Sequence, residues 1–495
     1  MEFDVKQGSL AQAECDVLVV NLFQGVKEPA GGTRAVDEAL DGAITRRIAQ
    51  REFQGRCGET LLVETCGRIP AATVLLVGLG NKDDLQIKHI MRASASAIRQ
   101  CGELKARRVA SIVHGTGQGG FEVSECAKAT ALGAALGAYR FTHLKTEDKQ
   151  ASSVERFEIV ELSENKLTDI RRGLDKAQII AEAVTMARDL SNQPSNVVTP
   201  SYLASAAEQI AHENGMECRV LDRKQIEDAG MGLLAAVARG SSVEPRFIEI
   251  KYTSPDADRT IALIGKGITF DTGGYNLKPT QSMYGMKDDM SGAASVLAVT
   301  RAIGAIKPPV NIVTLIPATE NSIGASAVHP GDVFTSASGR TVEISNTDAE
   351  GRLLLADAIA YANKLGVDQI IDAATLTGAC LIALGHMLCG IWGNQEQLVR
   401  RLVSAGESCG EIIWPMPLAE EYDEELRSDV ADIKNCAGKE GAAIIAAQFL
   451  KRFVGDTPWA HIDMSGATLE KDAELAPRGS TGAAVSTLIE YLLSL

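Results

Sequence analysis

The chain has 495 residues, of which 45% are hydrophobic and 23% charged, and a formal net charge of −15. That balance excludes a disordered chain, and it argues against a nucleic-acid surface as the main business, since such surfaces are basic. At roughly 150 residues per domain the length predicts two or three domains. No run approaches the ~18 apolar residues that span a membrane, and Met1–Val5 opens no signal-like apolar segment, so a cytoplasmic protein is expected. The ten cysteines contain no C-x-x-C pair and the seven histidines no H-E-x-x-H pair. A bound metal would therefore rest mainly on carboxylates.

Residues 1–165 alternate short apolar runs with helical patterns. Strands are expected at 16–21, 73–80, 109–113 and 157–161, with helices at 36–50 and 90–101. This alternation implies an α/β layer on a mainly parallel sheet. Gly78-Leu79-Gly80 and Gly115–Gly120 could cradle a phosphate, but without a full fingerprint they read as glycine-rich strand ends. Residues 166–194 carry a long helical pattern that links the domains. Pro194 stops it, and Thr199 with Pro200 starts the next helix. From 195 to 495 a second, larger α/β domain is readable. Its strands fall at 218–221, 247–251, 260–265, 311–316, 342–344 and 369–373, its helices at about 291–304, 352–365, 394–406, 442–453 and 482–494. In such a sheet ligands bind beyond the carboxyl ends of the strands.

Beyond the strand ending at Ile264 lies the glycine-rich loop 265–279, which holds Lys266, Asp271 and Lys278; Asp289 follows at a helix start. Beyond 342–344 comes Ser345-Asn346-Thr347-Asp348-Ala349-Glu350-Gly351-Arg352-Leu353. Extended backbone would aim Asp348, Glu350 and Arg352 the same way. Alone, an Asp-x-Glu corner is the common solvated turn, and Asp289 has a role available as a helix cap. Together, Asp271, Asp289, Asp348 and Glu350 carry a charge of about −4, enough to hold two divalent cations. Lys266 could add a nitrogen ligand as its neutral amine.

The segments Gly265–Asp271 and Asn346–Leu353, in this order and spacing, resemble the signatures of the leucyl (cytosol) aminopeptidase family. The likeness extends from Ala187–Leu190 through Asp372–Ala379 to Asp456–His461. It implies an amino-terminal macro-like α/β domain and a carboxyl-terminal catalytic domain with a mixed, mostly parallel sheet. It also implies two metal ions, Mn or Zn with Mg or Co as further candidates. Asp271 and Glu350 would bridge them, with Lys266 and Asp289 completing one site and Asp348 the other. By the same resemblance Lys278 would serve the oxyanion and Arg352 would hold a bicarbonate that shuttles a proton. Met286, Thr375, Leu376 and Gly378 would contact the substrate, a peptide with a free amino terminus, and the assembly would be a homohexamer.

Two departures stand out. Thr272 replaces the family's usual serine and keeps its hydroxyl, while Cys436–Ala443 departs from the expected glycine- and arginine-rich pattern and puts side-chain preference in question. The rival expectations are a DNA- or ligand-binding protein on the same scaffold and a different dinuclear metallohydrolase. The net charge weighs against the first, and only the resemblance weighs against the second.

Overall fold

The computed structural model describes residues 1–147, 153–469 and 471–495. The chain forms two compact units: Met1–Thr185 with Glu470–Arg478, and Met186–Leu469 with Gly479–Leu495. The boundary falls inside the helix Leu167–Asn192, and a segment from late in the chain joins the first unit. There Glu474 pairs with Arg92 at 2.9 Å and its carbonyl accepts from Arg99.

Among the described residues, the first unit holds a six-stranded sheet in the order Glu2–Gln7, Arg156–Glu161, Arg108–Ser111, Val17–Leu22, Thr73–Gly78, Thr60–Glu64. All neighbours are parallel except the last pair. The four expected strands are present. The two edge strands escape sequence reading because half-exposed edges lack a continuous apolar run. The single helix expected over 36–50 is two, Gly31–Ala39 and Ala43–Ala49, separated where Asp41 and Gly42 adopt φ of 56° and 75°.

The second unit is built on a mixed sheet in the order Ile413–Pro415, Cys389–Gly393, Trp459–Asp463, Gln369–Ala374, Thr260–Gly265, Asn311–Asn321, Arg246–Tyr252, Glu217–Leu221. Its centre is parallel, with Trp459–Asp463, Gln369–Ala374, Thr260–Gly265 and Asn311–Asn321 aligned. A correction applies to the glycine-rich loop: Gly267–Asp271 is itself a strand, paired in parallel with Ala318–Asn321 and bulged between Ile268 and Phe270. Strand 311–321 thus serves Thr260–Gly265 with its first half and Gly267–Asp271 with its second. Lys266 sits at the step between them, its N–H donating to the Ala373 carbonyl at 3.2 Å.

The helix Gly351–Lys364 is buried on nearly every side, with Leu353, Leu354, Leu355 and Ile359 at most 1% exposed. At about 1.5–3 kcal/mol for each such side chain, burial holds this helix firmly to the sheet. Its rotation is set by Asp357, which accepts from Leu233 N and Leu234 N at 2.9 Å and from Ala337 N at 2.7 Å. A rigid helix therefore begins where the acidic corner ends.

Candidate active site

All eleven residues singled out from the sequence lie in the second unit, but Asp348, Glu350 and Arg352 follow Thr341–Glu343, which belongs to a separate three-stranded sheet and not to the main one. Lys266 follows Thr260–Gly265, Asp271 ends Gly267–Asp271, and Thr375, Leu376 and Gly378 follow Gln369–Ala374. Asp289 is not a helix cap: Met290 occupies that position before Ser291–Ile306, and the Asp289 carboxylate turns to Lys266 instead. Nor is 345–352 uniformly extended. Thr347 and Asp348 form a turn, and Glu350 precedes the helix in helical backbone, so a turn rather than strand alternation brings the carboxylates together.

Ligand oxygens of Asp271, Asp348 and Glu350 all lie within 4.8 Å of one another. Lys266 Nζ joins the fourth carboxylate to them: it is 2.7 Å from Asp289 Oδ1, 3.0 Å from Glu350 Oε1 and 2.9 Å from the Thr375 carbonyl. Lys278 Nζ forms ion pairs with Asp271 Oδ2 at 2.8 Å and with Asp348 Oδ1 at 2.6 Å. Arg352 lies in the first turn of its helix with Nη1 donating to the Asn435 carbonyl at 2.8 Å, and Met286 opens a half-buried turn before Asp289.

Burial pushes Asp289, Asp348 and Glu350 above the ordinary carboxylate range. At Asp289 and Glu350 neighbouring carboxylates add to the rise and Lys266 offsets part of it, while at Asp348 the main offset is Lys278. Burial disfavours the two ammonium groups as well, but the carboxylates outweigh it, and both lysines are held charged more firmly than free ones. Four carboxylates against two ammonium groups leave the cluster acidic, and Asp289 Oδ2 and Glu350 Oε2 are buried without a hydrogen-bond partner among the described residues. Unpaired buried oxygens are costly unless a cation meets them. This oxygen-rich donor set fits hard divalent metal ions.

Two glycines make the approach possible. A Cβ on Gly351 would stand 2.5 Å from Lys266 Cε and 2.7 Å from its Nζ. One on Gly273, whose φ is 85°, would stand 2.8 Å from Asp348 Oδ1.

Several residues that hold this cluster escaped the sequence reading. Asn321 Nδ2 donates to Asp271 Oδ1 at 2.8 Å and to the Thr347 carbonyl at 3.0 Å. Asn276 Oδ1 accepts from Thr347 N at 2.9 Å. Asp463 accepts from Leu376 N at 3.2 Å and from Thr377 Oγ1 at 2.7 Å, while Thr375 Oγ1 donates to Asp289 Oδ1 at 2.8 Å. Asn435, fully buried, bonds to the acidic corner at several points. Uncharged amides give no charge pattern to search for. For Asn321 the sequence signal was position alone, a little beyond the apolar run 311–316.

Comparison with known proteins places this geometry. Residues 185–489 match the catalytic domain of the cytosol aminopeptidase family, and residues 19–148 its N-terminal domain. A probable cytosol aminopeptidase of Geotalea uraniireducens is 43% identical over 489 residues, 97% of each chain. One from Syntrophotalea carbinolica is 42% identical over 464 residues, 93% of each chain. Among solved structures, a mutant of tomato leucine aminopeptidase superposes with a TM-score of 0.89 at 33% identity, covering 100% of this chain and 97% of that one. A bottromycin maturation enzyme in complex with Mn gives 0.86 at 34% identity, covering 97% and 99%. The chain therefore belongs to the cytosol aminopeptidase family, and its activity is that of a metal-dependent aminopeptidase.

Proposed function

We propose that the chain removes residues one at a time from the amino end of peptides, leucine and similar side chains among them, with two divalent cations held by Asp271, Asp289, Asp348 and Glu350 and by Lys266, which would give up its proton as a cation takes over the carboxylates that hold it charged. The observation that carries this reading is the convergence of Asp271, Asp348 and Glu350 within 4.8 Å, beside buried and unpaired oxygens of Asp289 and Glu350. When bound, such a pair of cations lowers the pKa of water and polarises the scissile carbonyl. Asp271 and Glu350 would help to hold both ions, with Lys266 and Asp289 completing one site and Asp348 the other. Mn and Zn are the first candidates, with Mg and Co behind them.

The remaining roles fall to the chain's own groups. Lys278 is anchored between Asp271 and Asp348, and its fixed charge would stabilise the oxyanion that forms at the attacked carbonyl. Among the described residues Arg352 keeps a buried Nε–H without a partner while Nη1 is fixed on Asn435; that donor set suits a bicarbonate, which would supply proton transfer. Met286 and the segment holding Thr375, Leu376 and Gly378 would receive the first side chain and the peptide backbone. No helix among the described residues is long and apolar enough to cross a membrane, and we extend the reading to a cytoplasmic homohexamer. The net charge of −15 favours peptides over nucleic acid as the partner.

Hydrolysis of leucyl-p-nitroanilide by metal-stripped protein, with Mn, Zn, Mg or Co restored and an N-acetylated leucyl substrate as control, tests the proposal. Metal-dependent cleavage of the free-amine substrate alone is expected. Cleavage of the acetylated substrate, or activity unaffected by stripping, would overturn it.

A further inference from the structure

We propose that Asn435 is the positioning residue that sets the geometry of the Ser345–Arg352 corner, and through it the placement of Asp348, Glu350 and Arg352. The inference rests on the peptidase reading for its link to turnover, but not for its link to metal binding. Asn435 is 0% exposed and follows the strand Ile433–Lys434, which runs parallel to Thr341–Glu343. Its own N–H extends that ladder by donating to the Glu343 carbonyl at 2.9 Å, so the side chain arrives beside the first residues of the corner.

Each side-chain site on that amide is used. Nδ2 donates to the Asn346 carbonyl at 2.7 Å and to the Ala349 carbonyl at 3.2 Å. Oδ1 accepts from Asn346 N at 3.2 Å and from Ser345 Oγ at 3.3 Å. The main-chain carbonyl takes Arg352 Nη1 at 2.8 Å. One planar group thus grips both limbs of the turn that carries Asp348, while its backbone holds the guanidinium two residues beyond Glu350. Only an amide of this length offers two donors and an acceptor on one short planar group. A carboxylate would turn two donated bonds into oxygen–oxygen repulsion, and alanine would leave buried peptide groups unpaired. By contrast, Asn321 reaches Asp271 and one carbonyl of the corner, and does not touch Arg352 in any bond described.

The test is a double-mutant cycle on the full chain, read by two measurements. In the first, N435D and N435A are compared with the parent for Mn(II) affinity by calorimetry, with melting recorded to show that the variants are folded. A drop of about 10- to 100-fold is expected, the usual size for partners that orient metal ligands. In the second, kcat and KM for leucyl-p-nitroanilide are measured for N435D, Arg352→Ala and the double variant. A fall of at least tenfold in kcat with KM within threefold is expected for N435D alone, and a smaller fall in the Arg352→Ala background, where only the part carried by Asp348 and Glu350 remains. Asn435→Ser, which adds no buried charge and keeps a hydroxyl that can donate, takes the place of N435D in both measurements, with the same expectations, where N435D or N435A fails to fold. Unchanged Mn affinity in folded N435D, or a kcat loss that is the same in both backgrounds, would overturn the positioning role. A parent that binds Mn but cleaves no peptide would sink the peptidase reading instead, leaving the affinity arm to decide the claim about Asn435.

Discussion

Replacing Gly351 by alanine tests how tightly the lysine is held against the corner. The new methyl group would stand 2.5 Å from Lys266 Cε. Carbon contacts settle at about 3.5–4.0 Å, so the lysine must retreat by about 1 Å. A free lysine would yield at little cost, but this one is 3% exposed and pinned at 2.7 Å to Asp289, 2.9 Å to the Thr375 carbonyl and 3.0 Å to Glu350. Gaining alanine in the helix contributes up to about 1 kcal/mol, whereas breaking a buried pair costs about 3–5 kcal/mol. The variant should therefore melt lower, not higher. A misplacement of about 1 Å at a reacting centre costs roughly 100-fold. Hydrolysis of leucyl-p-nitroanilide with Mn restored, together with metal content by mass spectrometry, measures the outcome. Activity within threefold of the parent, with metal retained, would refute the claim that Lys266 is fixed over Gly351.

Lys278→Ala should lower kcat by roughly 100- to 1,000-fold, the effect of losing an oxyanion donor, with metal content unchanged; a parallel loss of metal would make it a structural contact instead. Asp348→Ala should remove most activity and weaken one cation without unfolding, since its side chain is 32% exposed; calorimetric titration with Mn and a melting curve decide, and an active variant would contradict the assignment. In the first unit, burial lowers His114 from 6.5 to about 4. The unfolded chain takes up that proton below about pH 6.5 while the folded one refuses it, so stability is complete above that pH and falls by about 3 kcal/mol as pH drops to about 4. Urea midpoints at pH 7.5 and 5.0 should show this slope in the parent and a shallower one in His114→Asn; equal slopes would refute it.

Much of the second unit was legible because its central strands are apolar on both faces and its helices keep a helical period. Lys266, Asp271, Asp348 and Glu350 were legible for another reason: charges set among glycines at strand ends conflict with burial unless they meet something. The edge strands of the first unit were not legible, since half-exposed backbone leaves no such pattern. Neither was Gly267–Asp271, whose glycine and following turn residues read as loop until strand 311–321 proves long enough to pair with it.

By itself the sequence determined the chemistry available: which carboxylates and lysines exist, how they are spaced, and that no C-x-x-C or H-E-x-x-H pair stands beside them. The distances were decided by tertiary structure. A turn at Thr347 and Asp348 rather than strand alternation folds Asp348 towards Glu350, and Asn435 arrives from almost ninety positions away to hold that turn. Hydrogen bonds between distant backbone carbonyls and uncharged amides leave no periodic or charge signature in the chain. They become visible only when packing brings their partners within about 3 Å.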